Sequence, residues 1–201
     1  SFTDFLKKDI PKIEYLVDGL IPKAGLVYCF GAPGCFKTNF MLYLAIKGCE
    51  GKDVFEFKVN KKFKTLWLDE ENRETGMHDK ITKIIHGLND VNTEDLQSNN
   101  LIISSSFNIL DDGCLKMLDD IIIKHTPDMI VIDSIAKVFP LSERDEKDVR
   151  KIYTALSPFI RKYGVTFVLI HHARKKGYQQ GGRDMEDISG SVLKASVSDV
   201  E

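Results

Sequence analysis

The chain has no apolar run long enough to cross a bilayer, only four cysteines and almost no net charge. It has 201 residues and a formal charge of −2. A transmembrane helix needs about 20 consecutive apolar residues. The N-terminal residues also lack the continuous apolar core of a signal peptide. We therefore expect a cytoplasmic protein with no membrane partner.

The cysteines are too few and too scattered for a zinc site or a disulfide scaffold. Cys29, Cys35, Cys49 and Cys114 include no pair with C-x-x-C spacing. That spacing is typical of zinc sites, and disulfide scaffolds are dense in cysteine. The near-neutral charge neither favours nor excludes a nucleic-acid partner, because a neutral total can hide a local basic strip.

The hydrophobic pattern predicts an α/β protein. With 43% hydrophobic residues, the chain can bury one substantial core. Apolar runs alternate with longer stretches of helical periodicity, and most of the runs are continuous, as in parallel strands covered on both faces. We expect a single domain over residues 1–201, with a mainly parallel central sheet flanked by helices on both faces.

Five strands and four helices are predicted from this pattern. The strands are 26–30, 65–68, 101–104, 129–132 and 165–170, and the helices are 38–49, 75–88, 113–125 and 145–163. Pro158 should kink the last helix or split it in two. The polar residues 89–100 predict a surface connection.

A phosphate-binding loop is predicted between the first strand and the first helix. A strand, a glycine-bearing turn ending in Lys-Thr and a helix form the context of a P-loop. Backbone N–H groups would wrap the β-phosphate, Lys37 would lie between the β- and γ-phosphates, and Thr38 would ligate Mg²⁺. The predicted ATP-binding residues are Gly31, Ala32, Pro33, Gly34, Cys35, Phe36, Lys37, Thr38 and Asn39.

Phe36 stands where the usual P-loop pattern has glycine. The loop must then accommodate a Cβ and an aromatic ring, which glycine lacks. We expect the phosphate cradle to survive if Phe36 keeps a right-handed helical backbone and points its ring away from the phosphates. The alternative is an ordinary strand-turn-helix corner that happens to contain Lys-Thr.

Acidic residues follow two other predicted strands. Asp133 directly follows the run 129–132 and would stand at the carboxyl edge of a buried strand, where open α/β sheets bind ligands. We predict that it holds Mg²⁺ through water. Three acids, 69–71, end the strand 65–68, and Glu71, with Glu70 as second choice, is our candidate for the base that polarises water. These acids could instead be turn formers or solvated loop residues.

The fifth strand ends in His171 and His172, where a polar residue can sense the γ-phosphate. No further Cys or His lies nearby in sequence, which argues against zinc.

Four segments in order resemble the RecA-type ATPase core: Ile-Glu-Tyr-Leu-Val-Asp-Gly-Leu-Ile-Pro at 13–22, the acids 69–71, Val-Ile-Asp-Ser at 131–134, and His-His-Ala-Arg-Lys at 171–175 followed by Gly-Ser at 190–191. Within that group the chain is most similar to the hexameric plasmid helicase RepA family, with its archaeal, phage and viral relatives. The resemblance covers about residues 10–200.

This resemblance implies a catalytic set of Lys37, Glu71 as base and His172 as γ-phosphate sensor. It also implies a homo-oligomeric, hexameric ring with the nucleotide between subunits. The chain stops about where the family places its arginine finger and later strands, so we expect the domain to be truncated at its C-terminal end.

Two segments correspond to loops that face the central channel in RecA-type rings, 136–148 and 173–188. The second combines positive charge, amides, one aromatic ring and glycines, which suits a single-stranded DNA backbone. The predicted DNA-binding residues are Arg174, Lys175, Lys176 and Arg183. The sequence thus favours an ATP-dependent motor on single-stranded DNA, a replicative helicase. A RecA-like recombination or repair ATPase and an ATP-binding switch without translocation remain open.

Overall fold

The structure is a computed structural model that describes residues 1–9, 12–103, 107–139, 146–172 and 192–197. Within these residues lie seven helices: α1 (Phe2–Leu6), α2 (Lys37–Glu50), α3 (Glu74–Leu88), α4 (Thr93–Asn99), α5 (Asp112–His125), α6 (Ile135–Val138) and α7 (Glu146–Tyr163). The same residues contain eight strands: β1 (Tyr15–Val17), β2 (Ile21–Pro22), β3 (Gly25–Gly31), β4 (Thr65–Asp69), β5 (Asn100–Ile103), β6 (Met129–Asp133), β7 (Thr166–His172) and β8 (Val192–Val197).

One six-stranded sheet organises the described part of the chain. Its strand order is β5-β4-β6-β7-β3-β8. The neighbours from β5 to β3 are parallel, and β8 alone runs antiparallel, against β3. Strands β1 and β2 form a separate antiparallel pair. The mainly parallel sheet confirms the predicted α/β fold.

The central strands are continuous apolar runs because both faces of the sheet are covered. Every residue of β4 and of β6 is buried. A strand with one solvated face would alternate apolar and polar residues, whereas a strand covered twice needs apolar side chains on both faces. The acid at the end of each run, Asp69 and Asp133, is therefore carried into the interior by its own strand.

Helices pack on both faces of the sheet and enclose two hydrophobic cores. On one face, α2 and α3 bury residues that include Met41, Leu44 and Met77 against β4, β6 and β7. On the other face, α5, α6 and α7 supply apolar side chains, listed here in chain order: Leu118, Ile122, Ile135, Val138, Ile152, Leu156 and Ile160. In the part of the chain that the structure describes, no helix is both long and apolar enough to cross a membrane.

The predicted elements are all present, with ends that agree within two residues. Pro158, however, does not split the last helix, because α7 runs unbroken from Glu146 to Tyr163. Proline inside a helix costs roughly 3 kcal/mol. Ile152, Leu156 and Ile160 are buried in the second core, and each such side chain contributes about 1.5–3 kcal/mol. Packing therefore outweighs the lost backbone hydrogen bond.

Residues 89–100 form the predicted surface connection, between α3 and β5, and this connection contains the short helix α4. The Asn92 side chain caps the helix by accepting hydrogen bonds from the backbone N–H groups of Glu94 and Asp95. Asp95 also forms an ion pair with Lys62, at 2.7 Å. The polar residues that suggest a loop are the capping and first-turn residues of a short helix.

Gly48 allows α2 to lie against the ring of Phe63, and we expect Gly48→Ala to destabilise the protein. A Cβ on Gly48 would lie 1.9 Å from Cζ of Phe63. Overpacking of this kind costs about 1–3 kcal/mol, more than the roughly 1 kcal/mol that alanine gains over glycine in a helix. Urea unfolding measures the difference.

Gly87→Ala in α3 is the matched control. A Cβ there would meet nothing within 4 Å, so helix propensity alone should act, and the variant should gain up to about 1 kcal/mol. A Gly48→Ala variant as stable as the Gly87→Ala variant would show that α2 does not pack on Phe63 as described.

Candidate active site

The predicted functional residues meet at one edge of the sheet, formed by the carboxyl ends of β3, β4, β6 and β7. Asp69 and Asp133 are paired in register on neighbouring strands. Gly31 and His172 are likewise paired in register on β3 and β7. Since β7 lies between β3 and β6, the loop after β3 and the two acids share this edge.

The loop between β3 and α2 has the backbone features of a phosphate cradle. Its turn is closed by a hydrogen bond from the N–H of Cys35 to the carbonyl of Ala32, at 3.2 Å, and Gly34 has a positive φ of 81°. No side chain caps the N-terminus of α2. The first N–H groups of a helix have no partner within the helix and sit at the positive end of its dipole. Phosphate oxygens are the acceptors that such groups bind.

Lys37 places its positive charge inside this loop. The side chain is buried, at 4% exposure. Its Nζ donates to the carbonyl oxygens of Gly31 and Ala32, at 2.9 Å each, and lies 3.6 Å from Sγ of Cys35. A cation held by backbone carbonyls at the end of a strand is close to where phosphate charge would accumulate.

Phe36 does not have the right-handed backbone that we expect from the sequence. Its φ of 62° and ψ of 23° are left-handed, at the N-cap of α2. The chain must reverse its direction here to enter the helix, and glycine does so freely, whereas an L-residue loses roughly 1–2 kcal/mol. The ring is 73% exposed, so it does not fill the loop. The cradle is kept at the cost of local strain.

Thr38 and Asp133 form the geometry of a divalent-metal site, although they are 95 residues apart. Oγ1 of Thr38 donates to Oδ2 of Asp133 at 2.8 Å. Oδ1 of Asp133 is buried and has no hydrogen-bond partner in the described part of the chain. Hard cations such as Mg²⁺ prefer hydroxyl and carboxylate oxygens, and an unpartnered buried carboxylate oxygen is an available ligand. These residues therefore fit Mg²⁺.

Burial raises the pKa of Asp133 above its usual value. Hydrogen bonds from Thr38 and Asn72 lower the pKa, while the nearby negative charges of Glu71 and Asp69 raise it further. Two of these three carboxylates, those of Asp69 and Asp133, are buried, and a bound cation would relieve the repulsion among the three.

The three acids at the end of β4, residues 69–71, have different roles in the structure. Oδ1 of Asp69 accepts hydrogen bonds from the backbone N–H groups of Glu71 and Asn72 and from Nδ2 of Asn72. Glu70 accepts a hydrogen bond from the N–H of Phe107 at 3.0 Å. Glu71 is exposed, and its charge acts on Asp133. Asp69 stabilises the turn that follows it, and Glu70 binds the backbone of Phe107. These structural roles favour Glu71 as the candidate base, and the role of Glu71 stays a prediction.

The two histidines at the end of β7 are placed differently. The ring of His171 packs against Phe30, with centroids 5.0 Å apart. The backbone of His172 pairs with Gly31, where the phosphate loop begins; its role as a γ-phosphate sensor stays a prediction. The predicted DNA-binding residues Arg174, Lys175, Lys176 and Arg183 lie outside the described residues.

Two residues at this edge are missed by the sequence analysis. Asn72 donates from Nδ2 to Asp69 and, at 3.4 Å, to Oδ2 of Asp133. Lys80 of α3 donates to Oδ1 of Asn72. Asn72 directly follows the acids in the sequence, but nothing in the sequence shows that Lys80 reaches it.

The strand-loop-helix at 25–50 and the mainly parallel sheet are those of a P-loop ATPase of RecA-like fold. A family model described as "AAA domain" matches residues 1–178, so the chain belongs to that family. Family membership implies a nucleotide and, as a rule, Mg²⁺. No curated protein matches the sequence at a significant level.

Among solved structures, the chain is similar to a KaiC-like protein from the hyperthermophilic archaeon Pyrococcus horikoshii OT3. The two are 21% identical, with a TM-score of 0.52, and the match covers 80% of this chain and 67% of the other. This likeness supports the RecA-like fold.

Replacing Asp133 by Asn should stabilise the fold while removing Mg²⁺-dependent turnover. Because burial raises the pKa of Asp133, stability falls as pH rises from the unfolded-state pKa to the folded-state pKa, and the ionised group remains unfavourable at pH 7. Asn keeps an acceptor for Thr38 without the charge. We expect a higher Tm than that of wild type at pH 7.

The gain should shrink at low pH, where the carboxyl group of the wild type is protonated. Asp79→Asn, at an exposed ion pair on α3, is the control and should leave Tm nearly unchanged. A lower Tm for Asp133→Asn than for wild type at pH 7 would contradict the raised pKa.

Proposed function

We propose that this chain hydrolyses ATP with Mg²⁺. The observation that carries the proposal is the hydrogen bond between Thr38 and Asp133, 2.8 Å long, beside the buried ammonium of Lys37. It joins the end of the phosphate loop to the acid of the central strand. A strand-turn-helix corner without a function in phosphate binding would have no reason to bring these three groups together.

In the proposed reaction, the N–H groups at the start of α2 bind the β-phosphate and Lys37 turns toward the β- and γ-phosphates. Thr38 and Asp133 would hold Mg²⁺, which would neutralise phosphate charge. Glu71 orients and polarises the attacking water. His172, next to Gly31 on the neighbouring strand, responds to the γ-phosphate.

Glu71→Gln should preserve ATP binding and remove turnover, because it deletes the base but leaves the phosphate loop intact. A general base contributes typically 10²–10⁴-fold to the rate, so we expect kcat to fall by about that factor with the ATP affinity unchanged. Calorimetry measures binding, and phosphate release measures turnover.

Glu70→Gln is the matched control, because Glu70 accepts the hydrogen bond of Phe107 and serves the fold. Gln keeps an oxygen that accepts this hydrogen bond, so the variant should retain both turnover and stability. If Glu70→Gln removes turnover and Glu71→Gln does not, the base is Glu70.

We further propose that the ATPase drives a motor on single-stranded DNA, a replicative helicase of the RepA kind that assembles as a hexameric ring. The topology supports this proposal. Strand β7 ends at His172 beside Gly31, and β8 begins at Val192 beside Phe30. The connection 173–191, which carries Arg174, Lys175, Lys176 and Arg183, is thus anchored at both ends next to the phosphate loop.

We propose the hexameric ring of subunits on the basis of the resemblance to RecA-type rings. A neighbouring subunit would supply the cation that stabilises charge in the transition state. Sedimentation velocity with and without Mg²⁺ and ATP tests the assembly, and a monomer at all concentrations with full ATPase activity would contradict it.

Replacing Arg174, Lys175 and Lys176 together by Ala should remove the stimulation of the ATPase by single-stranded DNA. Each lost phosphate contact should also lower the slope of log affinity against log salt by about 0.7. Filter binding over a salt series measures the slope, and phosphate release with and without DNA measures the stimulation.

The control replaces Lys58, Lys61 and Lys64 together by Ala. These lysines lie at exposed positions before β4, so the control removes the same amount of positive charge. It should keep the wild-type slope. An ATPase indifferent to DNA would favour a nucleotide switch, and filaments on DNA would favour a recombinase.

A further inference from the structure

Asn72 links the metal-binding acid to helix α3. Its Nδ2 lies 3.0 Å from Oδ1 of Asp69 and 3.4 Å from Oδ2 of Asp133. Its Oδ1 accepts a hydrogen bond from Nζ of Lys80. Both Asn72 and Lys80 are partly buried, so water competes weakly for these contacts.

Lys80 determines which way the amide of Asn72 points. The two ends of an amide are almost the same shape but opposite in character, since oxygen accepts and nitrogen donates. A lysine ammonium can only donate, so the Asn72 oxygen must face Lys80 and the nitrogen must face the carboxylates. With the amide reversed, its oxygen would face Asp69 and Asp133 and would repel both.

The orientation of Asn72 in turn decides which oxygen of Asp133 is available. Thr38 and Asn72 both donate to Oδ2, whereas Oδ1 has no partner in the described part of the chain. The two donors hold the carboxylate in one rotation, with one oxygen anchored and the other left for a cation. Because Oδ1 of Asn72 faces Lys80 and its Nδ2 faces the carboxylates, Asn72 turns a donor rather than an oxygen toward Asp133.

We propose that Lys80 and Asn72 are positioning residues for the magnesium site: Lys80 orients the Asn72 amide, and the amide holds the Asp133 carboxylate for the cation. The proposal rests on the proposed ATPase function and extends it to residues outside the phosphate loop and the acids. Removing a residue that hydrogen-bonds to a metal ligand, without itself contacting the metal, typically lowers metal affinity or activity by 10–100-fold.

The test is Lys80→Met, which keeps the length of the side chain and removes its donor. Binding of a fluorescent ADP analogue is measured in EDTA and then over a series of Mg²⁺ concentrations. We expect unchanged affinity in EDTA and an Mg²⁺ half-saturation about tenfold higher. Excess Mg²⁺ should restore part of kcat, which a general loss of structure would not allow.

Three further variants make the result specific. Lys83→Met, at an exposed ion pair on the same helix, is the matched control and should behave as wild type. Lys80→Arg keeps a donor and should recover most of the Mg²⁺ affinity. Asn72→Ala removes the amide and should reproduce Lys80→Met, which provides a second route if Lys80→Met folds poorly.

The outcomes separate this inference from the function on which it rests. If the wild type binds no ADP analogue with or without Mg²⁺, the proposed function fails and the positioning role fails with it. If the wild type shows Mg²⁺-dependent binding but Lys80→Met and Asn72→Ala match it, only the positioning role is wrong.

Discussion

The burial of a carboxylate at the end of the central strand is the constraint on which the rest of the site depends. Asp133 is fully buried, and an ion taken out of water costs several kcal/mol unless polar partners compensate. Thr38 and Asn72 supply hydrogen bonds, and Thr38 can do so only because α2 begins where the phosphate loop ends. The same hydrogen bond that makes the buried charge tolerable therefore aligns the proposed phosphate loop with the proposed metal-binding acid.

Buried charge is concentrated at this edge of the sheet. Among the described residues, the charged ones that are buried are Lys37, Asp69 and Asp133. A left-handed backbone is less specific, because Phe36 shares it with residues far from this edge, such as Asn89 and Thr126. Buried charge that collects in one place is typical of a binding or catalytic site, where stability is given up for function.

The parts of this structure that could be predicted from the sequence are those with a local cause. β4 and β6 are recognisable because burial on both faces leaves an uninterrupted apolar run, and an acid at the end of such a run must stand at the carboxyl edge. The contact of Lys80 with Asn72 has no local signature, since it depends on how α3 lies beside β4. The backbone of Phe36 is set by the turn rather than by the residue. Strand β8, Val-Leu-Lys-Ala-Ser-Val, lacks both alternation and a continuous apolar run, so its pairing with β3 follows from tertiary contacts alone.

The order of the strands also determines how the two halves of the proposed motor would communicate. β7 lies between β3, which carries the phosphate loop, and β6, which carries Asp133. Adjacent strands are about 4.8 Å apart, so His172 at the end of β7 is one strand from Gly31. The connection 173–191 leaves from this histidine and returns to β3 as β8. A displacement at the γ-phosphate would therefore reach the start of the proposed DNA-binding segment through the end of a single strand. The buried sheet, whose close packing resists deformation, would not need to rearrange.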